Sequence, residues 1–459
     1  MRYISTRGGA APVSFTEALL AGLAPDGGLY VPEVWPTLSH DEIAAFAGQD
    51  YWEIAATILK LFAGDSLDLE QCMRAAADAY RTFSHPAVTP LRQLDSELWL
   101  LELFHGPTLA FKDVAMQLLA RLYDRALAEQ GRKLTIVCAT SGDTGGAAVE
   151  AFRGSPNIDL VVLFPEGRIS EVQRRFMTAA PEANVRCVSV DGTFDDCQAI
   201  VKAMFADRAF AGEVDLSGVN SINWARIVAQ SVYYFASTVA LGAPDRKVSF
   251  AVPTGNFGDA FAGYVAHEMG LPIERIVVAT NANAILGRAI RTGRYAKEGG
   301  VIATQSPAMD IQVASNFERL YFEAVGRDAA ETRRAFEGFS KTAALDLPTQ
   351  ARGEIADLFD AAATSEAETA ATMAETWRSA GLLIDPHTAV AVHAAEDRAG
   401  PTIVLSTAHP AKFPDAVEAA TGVRPPLPAR VGDLYARPER ITNLPADLET
   451  IKAFVRARR

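Results

Sequence analysis

Residues 134–152 of this 459-residue chain read LTIVCATSGDTGGAAVEAF, and they indicate the fold class most clearly. Residues 134–139 form an apolar run with little polar alternation, which is typical of a strand buried on both faces. A loop rich in glycine and hydroxyl groups follows at 140–146, and 147–152 continue as a helix. A strand that leads through a loop into a helix indicates a crossover toward a parallel neighbouring strand.

The same pattern recurs along the middle of the chain. Apolar runs predict strands at 98–103, 134–139, 160–164, 185–190, 248–252, 276–279 and 402–405. Segments with helical spacing of apolar residues lie between them, at 114–129, 194–210, 224–241 and 259–268. This alternation predicts an α/β fold of mainly parallel, twisted sheets flanked by helices.

The two ends of the chain have a different character. The N-terminal part predicts a helix-rich region with turns at 24–32, and the acidic segment 354–380 predicts one or two exposed helices. Many prolines follow Arg424, which predicts a wrapping tail that closes with a short helix around 448–455. We therefore predict a helix-rich region at 1–90, an α/β core with a smaller substrate-side subdomain at 91–350, and a last segment at 351–459.

Composition excludes several classes of protein. The chain has 49% hydrophobic residues and a net charge of −13, so an extended nucleic-acid surface, which needs a basic footprint, is excluded. The four cysteines lack CxxC spacing and the histidines match no metal motif, which predicts reduced cytoplasmic thiols and no metal. The uncharged run 227–244 contains scattered Gln, Ser and Thr, so we expect a buried helix rather than a membrane span. The first residues have no apolar stretch, so we expect no secretory signal.

Three loops after predicted strands are candidates for ligand binding, because open parallel sheets bind ligands beyond the carboxyl ends of their strands. In the loop 140–146, the hydroxyls of Ser141 and Thr144 and a helix N-terminus could hold a carboxylate or phosphate. The alternative is a helix cap with glycines in a tight turn. In the loop 253–259, Gly255, Asn256, Phe257 and Gly258 could form a nest of N–H groups for a phosphate dianion.

The third loop, 406–413, reads STAHPAKF. Its hydroxyls could bond a ring nitrogen, and Lys412 is either a ligand-facing cation or a surface lysine. A further lysine, Lys112, lies between an apolar strand and a helix start in HGPTLAFKD. The helix dipole and the apolar neighbours of Lys112 both favour the neutral amine, which Schiff-base chemistry requires.

Six segments together resemble the threonine synthase family, the longer bacterial and fungal type within the fold-type-II, tryptophan-synthase-β-like enzymes that use pyridoxal 5′-phosphate (PLP). The segments are HGPTLAFKD (105–113), ATSGDTGGAA (139–148), VPTGNFGD (252–259), STAHPAKF (406–413), FTEALLAGLAPDGGLYVP (15–32) and SPAMDIQVASNFERL (306–320). The last two segments are the more specific ones. The resemblance covers nearly the whole chain.

The resemblance implies roles for particular residues. It implies that Lys112 carries PLP covalently and is the catalytic residue. The remaining cofactor contacts that it implies are Gly255, Asn256, Phe257 and Gly258 for the phosphate, Thr407 (beside Ser406) for the pyridine nitrogen, and Asp143 where relatives often have an Asn that bonds the 3′-oxygen. Candidates for the substrate phosphate are Ser141, Thr144, Asn316, Arg319 and Lys412, although Arg319 could equally be a structural ion-pair residue.

The implied reaction converts O-phospho-L-homoserine and water into L-threonine and phosphate, the last step of threonine biosynthesis. It is catalysed by a carbon–oxygen lyase acting on phosphate, through γ-elimination and β-addition of water, with Lys112 as general base. No nucleic-acid or membrane partner is expected, and both a monomer and a homodimer are compatible with the sequence. Two alternatives stay open: another PLP enzyme of the same fold, and a non-catalytic α/β module that binds a nucleotide or other anion.

Overall fold

A computed structural model describes residues 1–396, 398 and 400–457. In that part of the chain the strands are β1 (Tyr3–Ser5), β2 (Tyr30–Pro32), β3 (Leu91–Gln93), β4 (Leu98–Glu102), β5 (Leu134–Ala139), β6 (Ile158–Pro165), β7 (Val185–Asp191), β8 (Leu216–Ser217), β9 (Val248–Pro253), β10 (Ile273–Thr280), β11 (Arg294–Ala296), β12 (Ala344–Asp346), β13 (Phe359–Ala363), β14 (Thr402–Ser406) and β15 (Thr442–Pro445).

The α-helices of the same residues, again in chain order, are α1 (Phe15–Ala21), α2 (His40–Ala44), α3 (Tyr51–Ala63), α4 (Leu69–Tyr80), α5 (Lys112–Gln130), α6 (Asp143–Phe152), α7 (Glu171–Thr178), α8 (Phe194–Ala206), α9 (Arg208–Glu213), α10 (Trp224–Ala240), α11 (Gly258–Glu268), α12 (Ile285–Thr292), α13 (Phe317–Ala324), α14 (Ala329–Thr342), α15 (Thr349–Leu358), α16 (Glu366–Ala380), α17 (Pro386–Ala395), α18 (Pro414–Thr421) and α19 (Leu448–Arg456).

The chain packs as two units, each formed from two separate stretches. The first unit comprises Met1–Gly106 and Ser221–Pro425, and the second comprises Pro107–Asn220 and the chain from Pro426 onward. This division differs from the predicted three consecutive segments. Composition along the sequence cannot reveal that the polypeptide leaves one unit and later returns to it. The boundaries at 90 and 350 stay a sequence-based prediction.

The first unit is built on a six-stranded sheet in the order β13-β10-β9-β14-β4-β3, in which only β3 runs antiparallel to its neighbour. Alternating apolar side chains of these strands, such as Ala251, Val277 and Val404, pack with Val390 of α17 in one hydrophobic cluster. The parallel order brings the carboxyl ends of β9 and β14 to the same edge of the sheet, where the predicted loops 253–259 and 406–413 begin.

The second unit is built on a five-stranded, wholly parallel sheet in the order β15-β7-β6-β5-β8. Val137, Val161 and Val188 on adjacent strands form a cluster with Met204 of α8 and Ile451 of α19. The predicted strand at 134–139 is found with the same bounds, and α6 follows it.

Three local predictions were wrong. The segment 354–380 contains the strand β13, which pairs with β10. The C-terminal tail does close with the predicted short helix, which is α19, and it also contains the unpredicted strand β15, which pairs with β7. Part of the predicted turn region 24–32 is β2, and the predicted helix 194–210 is interrupted at Asp207, whose side chain caps α9. Pairing with a neighbouring strand decides such short segments, because their own residues carry little strand pattern.

The uncharged run 227–244 is largely the buried helix α10, as predicted. Hydroxyls of Ser231, Ser237 and Thr238 donate to backbone carbonyls three or four residues earlier, which satisfies them inside the core. The described residues include no helix that combines the length and the apolar character of a membrane span. All four cysteines are buried.

Candidate active site

Lys112 is the first residue of α5, and 11% of its side chain is exposed. The loop before it is held by the buried carboxylate of Asp113, which accepts from the N–H of Thr108 and from its Oγ1, both at 2.7 Å. Asp113 therefore fixes the preceding loop. The position at a helix start and the partial burial of Lys112 agree with the sequence analysis.

The carboxylate of Asp143 lies next to this lysine. Its Oδ2 is 3.5 Å from Nζ of Lys112, and its Oδ1 accepts from Nε2 of the buried Gln173 at 2.9 Å. This ion pair favours the ammonium form of Lys112, an effect that the sequence argument for a neutral amine did not include. Gln173 was missed because, in sequence, it is only the third residue of a helix capped by Ser170.

The glycine-rich loop after β5 is shorter than predicted, since α6 begins at Asp143 and not at residue 147. Oγ1 of Thr140 accepts from the N–H groups of Gly142 and Gly145, both at 2.9 Å, so these two donors serve the turn itself. Gly142 has a φ of 134°, and a β carbon there would lie 2.6 Å from Gln173. Ser141 is exposed and Thr144 half-buried. Their binding of substrate phosphate stays a prediction.

In the first unit, the loop after β9 leads into α11 through Phe257, which has a φ of 65°. A β carbon on Gly255 would lie 2.5 Å from the carbonyl oxygen of Ala308, so only glycine fits there. The N–H groups of Gly255, Asn256 and Phe257 donate to no carbonyl of the described residues. The loop thus presents successive donors at a helix N-terminus, as an anion nest requires.

Asn316 holds this loop through a hydrogen bond to Asn256, and Arg319 in turn holds Asn316. Nδ2 of Asn316 donates to the carbonyls of Ser221 and Asn256, at 3.1 and 3.0 Å. Arg319 donates to Oδ1 of Asn316 and to the carbonyls of Tyr30 and Ile222. Because these donors already bind groups of the protein, the contacts favour a structural role over substrate binding for both residues. The hydrogen bonds of Arg319 go to carbonyl and amide oxygens, and not to a carboxylate as a structural ion pair would require. Burial lowers the pKa of Arg319 to about 9.

The third loop begins at the end of β14, where Ser406 and Thr407 are both buried. Oγ of Ser406 is 3.0 Å from Oγ1 of Thr388. Lys412 is 1% exposed, so the alternative of a surface lysine was wrong. Its contact with substrate phosphate and that of Thr407 with a ring nitrogen stay predictions.

Three family profiles match successive parts of the chain: threonine synthase N terminus at residues 2–80, pyridoxal-phosphate-dependent enzyme at 82–404, and threonine synthase C-terminal at 388–455. The chain belongs to the threonine synthase family of PLP-dependent enzymes. The resemblance inferred from the motifs is confirmed, and so are the α/β fold class and PLP as the cofactor.

Curated and solved threonine synthases are similar to this chain over its full length. The threonine synthase of Pseudomonas aeruginosa is 49% identical, with 99% of this chain and 98% of the relative covered. A crystal structure of PLP-bound threonine synthase from Brucella melitensis has 52% identity, a TM-score of 0.97 and 99% coverage of both chains. The yeast threonine synthase structure has 37% identity, a TM-score of 0.94 and covers 99% of this chain and 98% of its own.

The residues of this threonine synthase family member fit its cofactor. The cradle at Gly255, which a β carbon would fill, and the three adjacent N–H groups without carbonyl partners suit a phosphate dianion. Lys112 supplies a primary amine for an aldehyde. No cluster of metal-ligating side chains occurs among the residues that the structure covers.

One residue that the sequence analysis missed is Arg226, in the first turn of α10. It is buried, its Nη1 has no hydrogen-bond partner among the described residues, and burial lowers its pKa to about 10. The residue that follows it in α10, Ile227, lies near the end of the nest, because a β carbon on Gly258 would be 3.6 Å from Cδ1 of Ile227. A sequence signal did exist, since Arg226 is the one charged residue within 224–240, a helix that is otherwise apolar or neutral.

Proposed function

We propose that the protein converts O-phospho-L-homoserine and water into L-threonine and inorganic phosphate in the cytoplasm. The observation that carries the choice of a phosphorylated substrate is Arg226. A guanidinium buried without a partner lowers the free energy of unfolding by several kcal/mol, roughly the penalty for burying any unpaired ion, unless an anion binds to it. The nest at 255–258 accounts for the phosphate of PLP, so Arg226 provides for a second anionic group.

The cytoplasmic location is supported by the four buried cysteines, which are thiols as expected in a reducing compartment. A monomer and a homodimer both stay compatible with the proposal.

Lys112 is the proposed proton carrier of the reaction. Its Nζ takes and returns protons at the α and β carbons of the substrate, and Asp143 at 3.5 Å stabilises the ammonium that forms each time. Gln173 holds the other carboxylate oxygen and keeps Asp143 oriented. When bound, PLP supplies the electron sink for negative charge on the substrate carbons.

The remaining proposed roles concern binding. The N–H groups of Gly255, Asn256, Phe257 and Gly258 hold the cofactor phosphate, and Thr407 bonds the pyridine nitrogen. A hydroxyl leaves that nitrogen largely unprotonated, unlike a carboxylate. Arg226 binds substrate phosphate, with Ser141, Thr144 and Lys412 as further candidates.

The test incubates the purified, PLP-loaded protein with O-phospho-L-homoserine and measures threonine and phosphate. We expect equal amounts of both products. Turnover of serine or threonine with no phosphate release would instead indicate another enzyme of this fold. A colourless protein that binds no PLP, with no borohydride-reduced adduct on Lys112, would indicate a non-catalytic binder.

A further inference from the structure

Asp385 is fully buried at the N-terminus of α17 and accepts four hydrogen bonds. They come from the backbone N–H groups of His387 and Thr388, at 3.0 and 3.1 Å, from Nδ1 of His387 at 2.7 Å, and from Oγ1 of Thr388. Capping a helix uses only the two backbone donors. The two side-chain donors lead from Asp385 in different directions.

The first direction runs through His387 to the phosphate nest. Because a carboxylate only accepts, Nδ1 of His387 carries the hydrogen, and Nε2 is left as the acceptor for the N–H of Ala308 at 3.2 Å. The carbonyl of the same Ala308 lies 2.5 Å from the place where a β carbon on Gly255 would be. The imidazole therefore fixes the segment that shapes the floor of the nest.

The second direction runs through Thr388 to the end of β14. The hydroxyl hydrogen of Thr388 points to Asp385, so at the 3.0 Å contact between Thr388 and Ser406 the hydrogen must come from Ser406. Ser406 then has only lone pairs left to offer a ligand. These hydrogen bonds use the hydroxyl hydrogen of Ser406 but not that of the adjacent Thr407.

We propose that Asp385 is a positioning residue of the cofactor site, acting through His387 on Ala308 and Gly255 and through Thr388 on the hydroxyl direction of Ser406. The proposal rests on the assignment of the PLP phosphate to the nest and of the pyridine nitrogen to Thr407. All of these residues lie in the first unit. Asp385 and His387 touch neither cofactor nor substrate in this proposal.

The test measures PLP affinity and the absorption maximum of bound PLP for Asp385→Asn, His387→Phe, Thr388→Val and Thr388→Ser. The matched controls are Asp328→Asn, since Asp328 caps α14 through two backbone N–H groups, and Thr332→Val, since buried Thr332 donates to a carbonyl of the preceding turn. His387→Phe keeps a ring against Phe413 while it removes both nitrogens.

We expect Asp385→Asn and His387→Phe to weaken PLP binding about tenfold, the effect of losing one charge-assisted hydrogen bond. Thr388→Val should shift the absorption maximum of bound PLP, whereas Thr388→Ser, which keeps the hydroxyl, should leave it unchanged. If Asp385→Asn fails to fold, the His387 and Thr388 variants, which keep the capping carboxylate, decide the question. PLP affinity and spectra indistinguishable from those of the two controls would overturn the proposal.

The failure of this proposal can be separated from that of the proposed function. Wild-type protein that forms threonine, with variants that match the controls, refutes only the positioning role. Wild-type protein that binds PLP without forming threonine, with weakened binding in the variants, refutes only the proposed reaction. Wild-type protein that binds no PLP refutes both.

Discussion

Lys112 combines a helix start, partial burial and an adjacent carboxylate, and its replacement tests the central assignment at the scale of a single residue. We expect Lys112→Ala to lower the rate of phosphate release by at least about a thousandfold, because the proton carrier is lost. PLP can still bind through the nest. Lys341→Ala, on the exposed face of α14, is the matched control. Retention of more than about a tenth of wild-type activity by Lys112→Ala would contradict the assignment.

Arg226 and Arg319 are both buried arginines, but their surroundings predict opposite effects. For Arg226→Met we expect KM for the phosphorylated substrate to rise by about tenfold to a hundredfold, with an unchanged or higher melting temperature, since an unpaired buried charge is removed. Arg319→Met should lower the melting temperature, because its bonds to Asn316 and to the carbonyls of Tyr30 and Ile222 are lost. Steady-state kinetics and thermal unfolding of the two variants check this contrast. A large loss of stability in Arg226→Met would mean that this residue is structural.

At the scale of elements, the turn between β9 and α11 depends on the absence of a side chain at Gly255. Gly255→Ala puts a methyl group 2.5 Å from the carbonyl oxygen of Ala308, so the loop must move and its N–H groups lose their common direction. We expect PLP affinity, measured by absorbance titration, to fall by about tenfold or more, the loss of at least one charge-assisted hydrogen bond. Gly353→Ala in α15, where no atom lies within 4 Å of the added carbon, is the control and should bind PLP like the wild type. Equal PLP affinity in both variants would show that the phosphate of PLP is not bound at this loop.

At the scale of the whole molecule, Glu323 links stability to pH. Burial raises the pKa of its carboxyl from 4.5 to about 7, although Arg327 at 3.4 Å opposes this, and Glu268 adds to it. A raised pKa in the folded state means that its contribution to stability is complete below pH 4.5 and is lost as the pH rises through about 7. Relative to that of Glu323→Gln, the free energy of unfolding of the wild type should therefore fall by up to about 3 kcal/mol between these pH values.

Urea unfolding of the wild type and of Glu323→Gln at several pH values measures this difference. Glu366→Gln is a control at a carboxylate whose Oε2 accepts from the N–H of Gln305. Identical pH dependence in the wild type and Glu323→Gln would show that Glu323 does not titrate in this range.

The candidate site was predictable where a residue type and its local position suffice. Lys112 at a helix start and the glycines after β9 are both properties of a few consecutive residues, and the structure has them in the predicted local settings. Their chemical roles stay predictions. The sequence did not point to Arg226, Gln173 or the Asp385–His387 pair. These residues stand out only through their burial and their hydrogen bonds to distant segments of the chain.

The α/β class, the order of most strands and helices, and the family with its cofactor could all be predicted from the residues alone. Those properties follow from hydrophobic periodicity and from motifs in which neighbouring residues act together. The contacts made on folding were needed to show that β13 and β15 are strands, that Asn316 and Arg319 donate to groups within the protein, and that Arg226 is buried with no hydrogen-bond partner for its Nη1 among the described residues. The physical reason is that strand pairing, burial and the satisfaction of donors depend on segments far apart in the chain, which meet only after folding.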